Sequence, residues 1–292
     1  MAAEEHGPSA GEYIIHHLTH LQNHKPASVV DFTTINFDSL FWTIALGALT
    51  CWLMWLATRK ATSGVPGRFQ AAVEILVEMV DSQAKSIVHN ANSRKFVAPL
   101  ALTVFVWIIM LNTMDLLPVD LLPFLWQKVY GATGGDIEHA YLRVVPTADL
   151  SITMGLSLAV LLICLYYNIK IKGVGGWAHE LVTAPFGTSK NPFFAVLLGI
   201  VNLAMQLVEF VAKTVSHGMR LFGNMYAGEL LFLLIALLGG AFTLSVTGLV
   251  LAALHIFAGT VWAIFHILII VLQAFVFMML TLVYVGQAHD TH

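Results

Sequence analysis

From Pro192 to Leu238 the sequence reads PFFAVLLGIVNLAMQLVEFVAKTVSHGMRLFGNMYAGELLFLLIALL. After Gly239-Gly240 it continues from Ala241 to Gln287 as AFTLSVTGLVLAALHIFAGTVWAIFHILIIVLQAFVFMMLTLVYVGQ. Each stretch holds over 40 residues, most of them apolar. A bilayer core of about 30 Å needs only ~20 helical residues per crossing. As a single helix, each stretch would run about 60–70 Å, roughly twice that thickness. Two crossings per stretch would need a polar turn midway. The first stretch offers only Gly218–Asn224, which contains Arg220, and the second offers nothing. Mismatch of this size is relieved by tilt or kinking. The expectation is two long, steeply tilted helices forming a hairpin.

The composition leads to the same class. The chain has 292 residues, 58% hydrophobic and 11% charged, with a net charge of −3. Soluble domains carry about 25% charged residues, and a soluble globule this apolar would expose large greasy patches. A soluble enzyme, a nucleic-acid binder and a disordered tail are excluded. Cys51 and Cys164 lie inside apolar runs, which excludes a disulfide framework and a thiolate metal site. Residues 1–39 are polar, and their first basic residue is Lys25. No basic segment leads a short apolar core there, so no cleavable signal is expected, and these residues read as a segment outside the membrane.

Residues 40–292 read as a single membrane domain. Three shorter crossings are expected before the long pair at 192–238 and 241–287. They are 40–58, stopped by Arg59 and Lys60; 97–114, preceded by Arg94 and Lys95; and 150–169, ended by Lys170, Lys172 and Gly173. Pro118, Pro123, Gly131, Gly134 and Gly135 mark a loop, and 173–192 reads as another. In 66–88, Phe69, Val73, Leu76, Val80 and Ile87 recur at helical spacing between Glu74, Glu78, Asp81 and Lys85. That is an amphipathic interfacial helix packed on protein, its polar face too acidic to grip anionic lipid. The fold class is all-α and polytopic, with about five membrane helices and one interfacial helix. With the N-terminus outside, the inside segments hold Arg59, Lys60, Arg68, Lys85, Arg94, Lys95, Lys170, Lys172 and Lys190, against Lys25, Lys128 and Arg143 outside. That bias follows the positive-inside rule and puts the C-terminus in the cytoplasm.

Ionisable groups inside spans are costly, about 2.5–3.5 kcal/mol each at the centre, so they are functional candidates. The first long segment carries Gln206, Glu209, Lys213, Ser216, His217, Arg220, Asn224 and Glu229. Glu209, Lys213, His217, Arg220 and Asn224 follow at helical steps and form one stripe, which Gln206 extends. Glu229 is nine residues past Arg220, about 900° and so half a turn away. One face would then meet a partner and the other an internal cavity. Alternatively, Glu209 and Lys213 pair with each other and Arg220 snorkels. Arg220 has no acidic residue three or four positions away, so its charge needs a partner from another helix or chain. In the second long segment His255, His266 and Gln273 fall near one face, and histidine can relay protons. The bland reading of His255 and His266 is a neutral ring bonded to a carbonyl. His16, His17, His20 and His24 hint at a metal cluster, but no acid or cysteine lies close in sequence, so a solvated segment is expected. His179-Glu180 lacks the second histidine of a zinc motif, and no phosphate-cradling loop occurs. No metal, no cofactor and no nucleotide bound by this chain are expected.

The string Met219-Arg220-Leu221-Phe222-Gly223-Asn224-Met225-Tyr226-Ala227-Gly228-Glu229-Leu230 resembles subunit a of the rotary F-type ATP synthase. Trp262–Ile269 and Gln273-Ala274-Phe275 strengthen the likeness, and Asn112–Pro118 and Arg143-Val144-Val145-Pro146 resemble bacterial members. The likeness runs from Phe37 onward. It implies a non-catalytic stator subunit in the bacterial inner membrane, coupling proton flow to ATP synthesis. Arg220 would be the essential arginine facing the c-subunit ring. Glu229, His266, Gln273 and Asn224 would line two offset aqueous half-channels, with Asp115, Gln206, Glu209, Lys213, Ser216, His217 and His255 as further channel or stripe candidates. Glu229 and His266 are expected to serve one channel. The implied partners are the c-ring, the b-subunit peripheral stalk, the remaining ATP synthase subunits and the lipid bilayer. The resemblance implies an acid near Gln206; here the acid is Glu209, one turn on. A self-contained channel or transporter is the alternative. An intramembrane enzyme would need a metal-ligand set or nucleophile pair, and neither appears.

Overall fold

The computed structural model describes residues 10–24, 31, 33–59, 61–134, 140–188, 191–240 and 245–287. Among the described residues the fold is all-α, with one isolated bridge between Gln22 and Asn36. The helices are α1 (Ala10–Leu18), α2 (Phe37–Arg59), α3 (Arg68–Ile87), α4 (Ala91–Thr113), α5 (Leu121–Ala132), α6 (Leu150–Thr183), α7 (Pro192–Gly240) and α8 (Val246–Gln287). Five of them, α2, α4, α6, α7 and α8, are long and apolar enough to cross a membrane, at mean hydropathies of 1.8 to 2.6. The chain is a polytopic membrane protein. Uninterrupted helices α7 and α8 hold 49 and 42 residues. At 1.5 Å per residue they run about 74 and 63 Å, so each fits one crossing only at a steep tilt.

Three segments differ from the sequence expectation. The N-terminal polar segment contains α1, and the expected loop after Leu116 contains α5. Pro123 does not stop α5, because it sits in the first turn, where the missing N–H has no helical acceptor anyway. The expected 173–192 loop is mostly helix: Gly173, with φ 72°, breaks α6, but the helix resumes to Thr183. Lys172 and Glu180 bridge that break at 2.7 Å. Lys25, Lys60, Gly135, Lys190 and the start expected at Ala241 lie outside the described residues.

The helices gather into two compact units. The first takes residues up to Cys51, Trp107–Ile152 and Phe222–Gln273. Its buried apolar residues include Leu46, Ile108, Leu111, Val145, Met225, Leu233 and Ile270. Trp107 Nε1 donates to the Thr43 carbonyl at 3.1 Å, tying α4 to α2.

The second unit takes Trp52–Val106, Thr153–Leu221 and the chain from Ala274. Val80, Ala84, Val97, Phe105, Val160, Leu221, Phe277 and Leu282 form its interior. Helix α3 packs on protein there, since Ile87 lies against Gly286 of α8. Gly218 of α7 sits against Thr153 and Met154 of α6, where an added Cβ would meet the Thr153 carbonyl at 3.2 Å. This glycine allows a close approach and marks no kink. Gly218→Leu should therefore deplete assembled chain from membranes far more than Gly218→Ala, which needs the Met154 side chain to swing aside and the α6 backbone to give by a few tenths of an ångström. Quantifying the chain after detergent extraction checks the contrast.

Candidate functional site

Arg143 lies in the buried segment between Ala140 and the 3-10 turn Pro146–Ala148, in the first unit. Its backbone N–H donates to Asp38 Oδ2 at 3.0 Å, and Leu21 N–H donates to the same oxygen at 3.1 Å. With its main chain pinned, the guanidinium reaches Glu229 on α7. Nε lies 3.3 and 3.2 Å from the two carboxylate oxygens, and Nη2 lies 2.5 Å from Oε2. This is the forked geometry a planar guanidinium offers a carboxylate. Nη1 sits 2.9 Å from His20 Nε2, and His20 Nδ1 lies 3.3 Å from Asp38 Oδ1. Tyr226 places its ring 5.5 Å beneath the guanidinium. Arg143 is 6% exposed and Glu229 9%. A lone charge at that depth would cost several kcal/mol, so each requires the other.

A second buried contact lies beside the first. His266 of α8, fully buried, puts Nε2 2.7 Å from Asp115 Oδ2, without the alignment of a hydrogen bond. Phe232 and Trp262 close round the imidazole at 5.2 and 5.9 Å. Gly228 is the floor: a Cβ there would collide with the His266 ring and come within 3.0 Å of Asp115. Between the two pairs lies a cavity of about 30 Å³, bordered by His17, Met114, Asp115, Val145, Glu229 and Leu233. That is room for one or two waters, with three polar groups to hold them. Both amide atoms of buried Asn112 also lack a protein partner. On the same unit, Asn224 Nδ2 donates to buried Gln273 Oε1 at 2.7 Å.

The remaining candidates separate. Lys213 Nζ pairs with Glu209 at 2.6 Å and with Gln287 Oε1 at 2.8 Å, so the internal pairing holds for those two. His217 leaves the expected stripe: it is 2% exposed and stacks on Phe277 at 3.7 Å. A stripe read at equal spacing ignores that α8 reaches α7 at His217 while α6 meets the helix on either side of it, at Thr214 and Gly218. Gln206 is half-buried and Ser216 exposed. Half-buried His255 places Nδ1 2.7 Å from the Ile235 carbonyl, the bland arrangement for a histidine. Arg220 is exposed, with no carboxylate partner among the described residues.

The N-terminal histidines are not a solvated run, and here the sequence reading is corrected. His17 contacts Asp120 at 3.0 Å, His20 joins Asp38 and Arg143, and His16 stacks on Tyr141 at 5.2 Å. Their acids come from α2 and the start of α5, far along the chain. Burial and neighbouring His17 lower the His16 pKa, keeping that ring neutral as a packing surface. Burial and the Asp120 carboxylate raise the Tyr13 phenol above its ordinary range, so it donates its proton to Asp120 at 2.9 Å. Sequence reading missed Arg143 as the partner of Glu229, although the Arg-Val-Val-Pro string had marked it. Asp38 carried no local signal, and His17 and His20 stood out only as members of a candidate metal cluster.

Buried acid–base pairs round a water-sized cavity, in an all-α chain of five candidate spans, mark a polytopic membrane protein with ionisable groups in its interior. The family model described as "ATP synthase A chain" matches residues 40–286, and the chain belongs to that family, the proton-transporting membrane sector. It is 70% identical to ATP synthase subunit a of Paracidovorax citrulli and 70% identical to that of an Acidovorax species, over 292 residues and the full length of each. It is 45% identical to ATP synthase subunit a of Acinetobacter baylyi, again over all of both chains.

Two measurements test the site. Arg143→Met leaves Glu229 buried and alone, and should destabilise the purified complex by ~3–5 kcal/mol. Adding Glu229→Gln should restore much of that loss, read as recovery of thermal stability. Gly228→Ala should displace His266 from Asp115 and cut proton translocation severalfold while the chain still assembles.

Proposed function

We propose that the chain is the non-catalytic stator subunit of an ATP synthase membrane sector, carrying protons to and from rotor carboxylates through two offset half-channels. One observation carries the reading: Arg220 stands exposed on an apolar helix without a carboxylate partner among the described residues. Hydrocarbon would not accept that charge, so the partner comes from another subunit. A guanidinium stays charged at any physiological pH, so Arg220 cannot carry protons. It acts as a fixed positive charge. A rotor carboxylate passing it is held ionised, because a nearby opposite charge lowers a carboxyl pKa. The rotor site therefore releases its proton to one channel and reloads from the other. The same charge repels a proton leaking directly between channels. The potential supplies about 2.3 kcal/mol per charge per 100 mV.

The first half-channel runs through the cavity beside Glu229, Asp115 and His266, with Asn224 and Gln273 nearer the rotor. It opens on the N-terminal segment, on the outer face of the bacterial inner membrane, and the C-terminus is cytoplasmic. The exposed side of α7 follows the c-ring, and the b-subunit stalk and other subunits hold the chain against rotation.

Arg220→Ala should abolish ATP-driven proton pumping in membrane vesicles while assembly survives. Arg220→Lys should fail almost as badly, lacking the planar fork. Near wild-type pumping in Arg220→Ala would overturn the rotor-facing role. Against a background with Cys51 and Cys164 replaced, a cysteine at 220 or 224 should crosslink to the outer helix of the rotor. A cysteine at 229 should instead react with small water-soluble thiol reagents and give no rotor crosslink.

A further inference from the structure

The second unit carries a built pocket that the proton path does not use. It has a volume of about 400 Å³, within the range of roughly 300–1,000 Å³ typical of small-molecule sites. Lys95 and Ser93 of α4 and Lys170 of α6 line it, with the rings of Phe96, Tyr166 and Tyr167, and among the described residues no acidic side chain lines it. Four basic residues cluster in this part of the chain, and two are consumed internally. Arg94 Nη1 donates to the Val88 and His89 carbonyls at 3.0 and 2.9 Å, and Lys172 pairs with Glu180. Lys95 and Lys170 have no carboxylate partner among the described residues, so the pocket keeps two unneutralised ammonium groups. Tyr166 and Tyr167 hold the Lys170 ammonium at 5.5 and 5.7 Å from their centroids, keeping it over the pocket.

The pocket sits at the first turns of α4 and just after the apolar run of α6 ends at Ile169, where basic residues flank both apolar runs, as they do at the ends of membrane spans. From it an exposed apolar stripe runs back along α6 through Tyr166, Leu162 and Leu158. Leu158 to Lys170 spans about 18 Å of helix, close to one leaflet of a ~30 Å core. Free phosphate would use the lysines but not the stripe, whereas a diacyl lipid uses both. We propose that this pocket binds an anionic phospholipid, its phosphate between Lys95 and Lys170 and an acyl chain along the α6 stripe. Basic pockets between membrane helices suit such headgroups. The lipid fills the gap between α4 and α6 where side chains leave it open.

The test uses the complete purified ATP synthase in phosphatidylcholine vesicles doped with photoactivatable phosphatidylglycerol or photoactivatable phosphatidylcholine. Labelled peptides are mapped by mass spectrometry. Phosphatidylglycerol should label the peptides around residues 93–96 and 166–171 well above phosphatidylcholine. Labelling should fall about fivefold for each of Lys95→Gln and Lys170→Gln, and persist in Lys95→Arg with Lys170→Arg. Excess inorganic phosphate should not displace the label. Equal labelling by both lipids, labelling indifferent to the glutamine changes, or displacement by phosphate would each overturn the proposal. The first and third comparisons need only the unmodified chain. Proton pumping by the same vesicles reports separately on the stator reading.

Discussion

The fork between Arg143 and Glu229 is the constraint round which the first unit is arranged. A carboxylate on a membrane helix has no water to neutralise it, and a single cation offsets its cost only with good geometry. That geometry has to be imposed on a guanidinium carried by a segment outside regular helix. The Asp38 carboxylate imposes it, receiving the Arg143 and Leu21 backbone N–H groups and fixing where the side chain starts. Asp149 does a parallel task, accepting from Asn36 at 2.7 Å and from the Ser151 N–H at the head of α6. The buried connection is thus held by acids at both ends, which lets it run through an interior without a helix's own hydrogen bonds.

The same residue type receives opposite treatment on α7, at Arg220. Arg143 is buried and given two oxygens; Arg220 is exposed and given none among the described residues. A buried, satisfied guanidinium positions a neighbouring acid and keeps a cavity polar, but it cannot engage a moving partner. An unsatisfied one, held at the surface of a long helix, has its full field available to whatever passes. Lys213 completes the contrast. It is neutralised by Glu209 and donates to the Gln287 amide oxygen, so it contributes little field of its own.

The five apolar spans were legible because length and hydropathy are local properties. So was the peculiarity of Arg220, since the absence of an acid three or four residues away can be counted. The break at Gly173 was legible, but not the resumed helix, because the Lys172–Glu180 pair across it is a tertiary choice. The stripe of polar residues on α7 was legible as a period, not as an environment. His217 and Arg220 share that period, yet Phe277 covers one and the other stands exposed. Least legible was the buried network. Arg143 and Glu229 are 86 residues apart, and His20 and Arg143 are 123 apart, so no window contains either pair.

The N-terminal segment is where this matters most. The family match begins at residue 40, so α1 and the strand of chain after it lie before it. Composition alone makes such a segment look like a solvated tail. Yet His17 borders the cavity next to Glu229, His20 touches the Arg143 guanidinium, and Leu21 completes the Asp38 cradle. Residues that contribute a wall, a hydrogen-bonding ring and a backbone donor to a buried charge pair are part of the site. A covering of this kind has a physical use beside an acid–base pair in a membrane. It limits the water beside the pair to what about 30 Å³ allows, and a small, enclosed polar site strengthens each of its hydrogen bonds.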